Sequence, residues 1–348
     1  MIAGSPGALT PTSGDGSRAW PEAAIARAAT RACELEAQAE KPGNVTSAAG
    51  FPDMDYGDFL ASARALGPVM GRAGRHRVGQ TILRAIEATR RVARANTNLG
   101  IVLLLTPLAR AAAVVRAAPP GAGDADLAEV QGSGESRDGR QATAQRGALR
   151  ASLLCVLEDL DLADARLAYR AIRLARPGGM GSVPEQDLAE APTVTLLQAM
   201  RLAAARDAVA REYAESYRTT FDVGQPLLEG ALAAGLPLPD AAVELYLRLL
   251  AQSPDTLLQR KFGAGPAAEV SSRAAAVLAA GDPRTARRVR ALRDFDRWLR
   301  EPARRLNPGT TADLVAAVLF VRILTVGEPG CAGGSGPRVV VAAGGTRS

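Results

Sequence analysis

Apolar residues recur along this chain at three- and four-residue spacing, the period of a helix with one face turned to a core. Ile25, Ala28, Ala32, Cys33 and Leu35 trace one such face, and Pro21 stands where a helix tolerates proline, at its first turn. Tyr56, Phe59, Leu60, Ala63, Gly67 and Met70 trace a second, expected to bend near Pro68. Val78, Ile82, Ile86 and Ala93 mark a third that ends before Asn96. The most apolar run, Leu99 to Ala118, is interrupted by Pro107, Arg110 and Arg116, so it reads as a buried core helix and not as a membrane span.

Leu149, Leu153, Val156, Leu157 and Leu160 continue the pattern, followed by residues 162–175. A long helix capped by Thr193 is expected through Leu196, Leu197, Met200, Ala204 and Tyr213, with others over 239–250, 267–280, 284–299 and 311–324. Strand-like composition is confined to Arg338–Ala342. The expectation is an all-α fold, a single domain of ten or more helices over residues 20–326. Residues 1–19, 119–146 and 327–348 carry few large apolar side chains and are predicted to be disordered ends and a disordered inserted loop.

Composition changes this picture little. The chain is 47% apolar but only 4% aromatic, so its core must be built of Leu, Ala, Val and Ile. A formal charge of +6 favours anionic partners mildly. The arginines are spread over every expected helix without interleaved aromatics, which disfavours nucleic acid and leaves a nucleotide or polyphosphate as the better-fitting ligand. Cys33, Cys155 and Cys331 are odd in number and lack close pairing, which argues against disulfides and thiolate metal sites. His76, flanked by arginines, is the only histidine; it is expected at the surface, which argues strongly against a histidine metal centre or a Ser-His-Asp triad. The N-terminus has no apolar leader core, so a cytoplasmic protein without membrane partners is expected.

Two residue types are unusually scarce. Of 42 cationic side chains only Lys41 and Lys261 are lysine, and the asparagines are Asn44, Asn96, Asn98 and Asn307. All six sit in short glycine- or threonine-bearing stretches between helices. Lysine is a compact point charge and asparagine tolerates left-handed backbone, so these stretches mark places where side-chain identity matters; turn preference alone is the alternative. Asp53 and Asp55 precede a helix, where two carboxylates can reach one Mg²⁺ or cap the helix. Asn96, Thr97 and Asn98 stand at the entrance to the apolar helix, a ready phosphate site. Thr310, Thr311 and Asp313 open the last helix, Arg260 and Lys261 follow Asp255, and Arg173 precedes a Gly-Gly loop.

Taken in order, Lys41-Pro42-Gly43, Asp53-Met54-Asp55, Asn96-Thr97 with Gly100, Pro177 to Gly181, and Pro308 to Leu314 resemble the triphosphoribosyl-dephospho-CoA synthase family, over about residues 22–325 without the inserted loop. Those enzymes make the prosthetic-group precursor of citrate and malonate lyases. The resemblance implies an ATP-dependent, Mg²⁺-dependent transferase that moves the triphosphoribosyl group of ATP onto 3′-dephospho-CoA and releases adenine. It implies that Lys41, Lys261 and Arg173 neutralise phosphates. Asp53, Asp55 and Asp313 would hold Mg²⁺, with one of them a general base. Gly43, Asn44, Asn96, Thr97, Asn98, Thr310 and Thr311 would meet ribose or phosphate.

The chain also departs from the pattern. Lyase-associated members carry His and Lys before Asp-Met-Asp and a His-Lys pair after Asn-Thr, where this chain has Phe51, Pro52, Asn98 and Leu99. Histidine acid–base roles therefore do not carry over. Another acceptor, such as a sugar-alcohol hydroxyl of a tetrahydromethanopterin precursor, becomes an alternative, as does a non-catalytic nucleotide-binding protein.

Overall fold

The computed structural model describes residues 19–46, 55–93, 98–115, 137–177 and 186–327. In chain order its α-helices are α1 (Glu22–Gln38), α2 (Tyr56–Gly71), α3 (Val78–Arg90), α4 (Leu99–Ala113), α5 (Arg137–Glu158), α6 (Leu162–Ala175) and α7 (Leu196–Ala203). They continue as α8 (Ala208–Ala214), α9 (Gln225–Ala233), α10 (Leu238–Gln252), α11 (Thr256–Phe262), α12 (Ala264–Ala279), α13 (Ala286–Arg300) and α14 (Gly309–Val326). No strand occurs among the described residues, so the all-α expectation holds.

Helix α14 is the centre of the fold. It touches α1, α4, α5, α8, α9, α10 and α11, while α1 lies along α2, α3 on α6, and α10 on α12. A helix apolar on every side must be enclosed. α14 is long and apolar enough to cross a bilayer, but 78% of it is buried inside the fold, which accounts for its composition. Alanine fills much of the core, with Ala29, Ala32, Ala63, Ala85, Ala109, Ala241 and Ala316 fully buried.

Pro107 lies inside α4 and removes the N–H that would meet the carbonyl of Leu103. The Tyr213 hydroxyl donates to that carbonyl at 2.6 Å, and Tyr217 donates to the carbonyl of Leu104 at 2.9 Å. A tyrosine can be buried only if its hydroxyl finds a partner. Two fully buried tyrosines in an aromatic-poor chain are thus explained by α4.

Several expectations need correction. Helix α5 begins at Arg137, so residues 137–146 of the expected loop are helical. Between 139 and 148 only Ala142 is buried, so no apolar stripe announces this half of the helix. Residues 116–136, the ends and Arg338–Ala342 lie outside the described residues. The long helix attributed to a Thr193 cap is two helices. Thr195 caps α7 in a capping box with Gln198, and Asp207 caps α8 by accepting from the N–H of Ala210 at 3.1 Å. α9 and α11 were not anticipated. The surface expectation for His76, by contrast, holds: it is partly exposed, 2.8 Å from Arg84, and what burial it has, followed by the charge of Arg84, holds its pKa below the usual histidine range.

Candidate active site

A cavity of about 670 Å³ opens where the C-terminal end of α1 meets the first turns of α4 and α14, with α2, α6, α7, α8, α11 and residues 186–188 completing its walls. That volume suits a small-molecule ligand. Ile172, Leu188, Leu196, Ala199 and Met200 supply apolar surface, and Arg176, Arg206, Arg260 and Lys261 bring cations. Carboxylates come from Glu36, Asp187, Asp207 and Asp313, and Asn44, Asn98, Asn307 and Thr310 are among the neutral polar groups.

Asp313 projects from α14 toward the first turn of α4. A Cβ at Gly100 would collide with its carboxylate, so glycine there is what lets the two helices share this space. The carboxyl accepts no hydrogen bond from the described residues and is partly open to the cavity. Burial raises its pKa well above the usual carboxylate range. Glu36, Asp255 and Asp207 push the same way, and Arg260 partly offsets them. Asp313 is therefore held toward its neutral form. Cys33, on α1, is buried and pushed up by burial, then by Glu36 and Asp313, which makes it packing and not a nucleophile.

Lys41 does not face the cavity. Its side chain is fully buried, and its ammonium ion-pairs with Glu36 Oε1 at 3.0 Å while donating to the carbonyls of Glu36 and Ala39. Three acceptors match the three hydrogens of an ammonium, an arrangement the planar fork of arginine cannot reproduce. The scarcity of lysine is thus explained here by an internal role, and the expected phosphate contact of Lys41 is corrected. Glu36, the partner, lines the cavity.

Gly43 is likewise structural. Its φ is 76°, its N–H donates to Asp296 on α13 at 2.8 Å, and a Cβ would sit 2.8 Å from the carbonyl of Leu306. Asn44 reaches the cavity wall, with its amide donating to the Tyr246 hydroxyl at 3.0 Å. Tyr246 in turn donates to the carbonyl of Pro42 at 2.8 Å, and Arg300 holds the carbonyl of Asn44.

At the start of α14, Gly309 donates its N–H to the carbonyl of Asn307 at 2.8 Å. Thr311 donates its N–H and hydroxyl to Asp255 at 2.7 and 2.8 Å. Asp255 also caps α11 by accepting from Leu257 and Leu258. It therefore clasps the beginnings of α11 and α14 together, and Thr311 belongs to this clasp and not to the cavity. Thr310 lines the cavity. The amide oxygen of Asn307 and Nε of Arg260 are buried without a partner beside it. Arg260 also pairs with Asp207, the cap of α8.

The cavity thus gathers Asn44, Asn98, Lys261, Thr310 and Asp313 from the expected set. Asn98 stands at the cap position of α4, makes no capping bond and lines the cavity. Asp55 is exposed and caps α2, accepting from Asp58 at 2.9 Å. Arg173 lies outside, donating to the carbonyl of Leu188 at 2.6 Å. Asp53, Asn96 and Thr97 fall outside the described residues. Among the described residues no three carboxylate, histidine or cysteine side chains form a metal-holding group. Glu36, Asp207 and Arg206 went unnoticed because nothing in a helical pattern separates a cavity-facing charge from a solvated one.

Residues 22–331 match the CitG family, ATP:dephospho-CoA triphosphoribosyl transferase. The chain belongs to that family. The crystal structure of an Archaeoglobus fulgidus protein assigned as triphosphoribosyl-dephospho-CoA synthase is similar, with a TM-score of 0.53 and 23% identity, covering 77% of this chain and all of that one. At that identity the likeness concerns the fold. No curated protein matches significantly. Membership makes the chain a transferase of the triphosphoribosyl-dephospho-CoA synthase class. Gly100, Thr310 and Asp313, read as family motif residues, all stand at this transferase's cavity.

Proposed function

We propose that this transferase moves the triphosphoribosyl group of ATP onto a hydroxyl of 3′-dephospho-CoA and releases adenine. The observation that carries the reading is a neutral-leaning carboxyl, Asp313, in the same cavity as Arg206, Arg260, Lys261 and the first turn of α14. Cations and a helix N-terminus suit the triphosphate. The bond from C1′ of ribose to adenine breaks while a bond from C1′ to the acceptor oxygen forms. Asp313 gives its proton to the departing base and regains one from the hydroxyl, which closes the balance. Mg²⁺ bound to ATP phosphates needs only one or two protein carboxylates, and Glu36 offers one beside Asp313. The ion would supply charge neutralisation of the triphosphate.

The test is mass spectrometry after incubating the protein with Mg²⁺, ATP and 3′-dephospho-CoA. Free adenine and a triphosphoribosylated acceptor are expected; ADP or AMP would instead indicate phosphoryl or adenylyl transfer. ATP binding without turnover would indicate a non-catalytic nucleotide-binding protein. Asn98 facing the cavity where related enzymes carry histidine supports a second reading, in which the donor is kept and the acceptor differs. Adenine release with a pterin-linked sugar alcohol but not with dephospho-CoA would establish it.

A further inference from the structure

A second cleft, also about 670 Å³, lies between the C-terminal ends of α3 and α6. Its polar lining is Glu87, Arg90, Arg91, Arg170, Arg173 and Arg176. Most arginines that form ion pairs in this molecule do so with a single nearby carboxylate, as in Arg75–Glu22, Arg77–Asp161 and Arg288–Glu244. Here five guanidinium groups share one glutamate. Arg90 and Arg173 are pinned by backbone carbonyls, at 2.6 Å from Leu174 and Leu188 respectively, which orients their charge without neutralising it. The guanidinium groups of Arg91, Arg170 and Arg176, by contrast, make no hydrogen bond or ion pair among the described residues, where only their backbone N–H groups are engaged in the helices and their caps. A cation near each helix C-terminus complements the dipole, but that accounts for one per helix and not for five.

Arg176 lines both this cleft and the larger cavity. Its backbone is left-handed, with φ 50° and ψ 55°, a conformation rarely adopted by a residue with a side chain. That strain places one guanidinium at the junction of the two spaces.

We propose that the cleft binds a di- or polyphosphate group. Guanidinium forks match phosphate oxygens in pairs, and a cluster of like charges is relieved when such an anion arrives. Resting on the transferase reading above, the group has two sources: the bridging diphosphate of the acceptor, reaching out of the larger cavity past Arg176, or the triphosphate of the donor.

The experiment compares wild type with the double variant Arg91→Gln/Arg170→Gln and its charge-keeping control Arg91→Lys/Arg170→Lys. Both positions are exposed, so unchanged thermal unfolding should verify the fold. Calorimetry with inorganic pyrophosphate at low salt is expected to show affinity reduced about tenfold in the Gln pair and largely kept in the Lys pair. A rise in KM confined to dephospho-CoA assigns the acceptor's diphosphate, and one confined to ATP assigns the triphosphate. Pyrophosphate affinity equal in wild type and Gln pair, or no pyrophosphate binding at all, overturns the proposal. If wild type releases no adenine, the transferase reading fails while the calorimetry still decides the cleft.

Discussion

The turn at residues 41–44 and the turn at residues 307–310 press on each other at Gly43, where a side chain would meet Leu306, Leu299 and Pro308. Both contain a Pro-Gly pair, an asparagine and family motif residues, and both border the same cavity. They divide the work differently. The first turns its lysine inward to Glu36 and its glycine toward α13, leaving only Asn44 at the cavity. The second puts Asn307, Gly309 and Thr310 at the cavity and sends Thr311 back to the Asp255 clasp. A motif residue can thus be fixed by what it must hold in place, and the residue that meets the ligand can be its partner, as Glu36 is the partner of Lys41.

Substitutions can break this division. The largest effect is expected at Asp313→Asn, which should lower the rate of adenine release by about 10²–10⁴-fold, the range of acid–base contributions. The same change should stabilise the protein. Because the folded-state pKa of Asp313 is raised, the native state binds more protons than the unfolded one above the ordinary aspartate pKa, and wild-type stability falls as pH rises from there toward the raised value. The asparagine variant escapes that loss, so the difference in melting temperature should widen with pH and vanish in acid. A variant equally active or less stable at neutral pH would sink the assignment.

Lys41→Met comes next. Leaving Glu36 buried without its cation should cost about 3–5 kcal/mol in denaturant titrations, and adding Glu36→Gln should restore most of it. If Lys41 instead contacted phosphate, the single change would raise KM for ATP and leave stability untouched. Gly43→Ala should cost roughly 2–4 kcal/mol through left-handed backbone and overpacking, with kcat per folded molecule unchanged. The smallest effect separates neighbouring threonines. Thr311→Val should lose about 1–3 kcal/mol of stability by taking the hydroxyl from Asp255, whereas Thr310→Val should alter KM for ATP at constant stability.

The helical fold was legible because buried faces repeat with the helical period, as Val78, Ile82 and Ile86 do on α3. It was illegible where that period is absent. The first half of α5 has few buried positions, and α11 is a short helix whose register comes from Asp255 bonding to α14. Scarcity of lysine and asparagine did point to the right neighbourhood, since Asn44, Asn98, Asn307 and Lys261 all line the cavity. It could not tell inward from outward. That choice depends on which acceptors lie within reach, and Glu36, five positions before Lys41 in an ordinary helix, gives no sign of being one.

The sealing of Lys41 also makes the molecule its own chemical reporter. Besides the α-amino group, the sequence offers an amine-reactive reagent only two targets, and they differ completely in access. Lys261 lies exposed at the cavity rim, while the ammonium of Lys41 is enclosed and fully hydrogen-bonded. Acylation at Lys261 therefore follows occupancy of the cavity, and acylation at Lys41 counts openings of the fold.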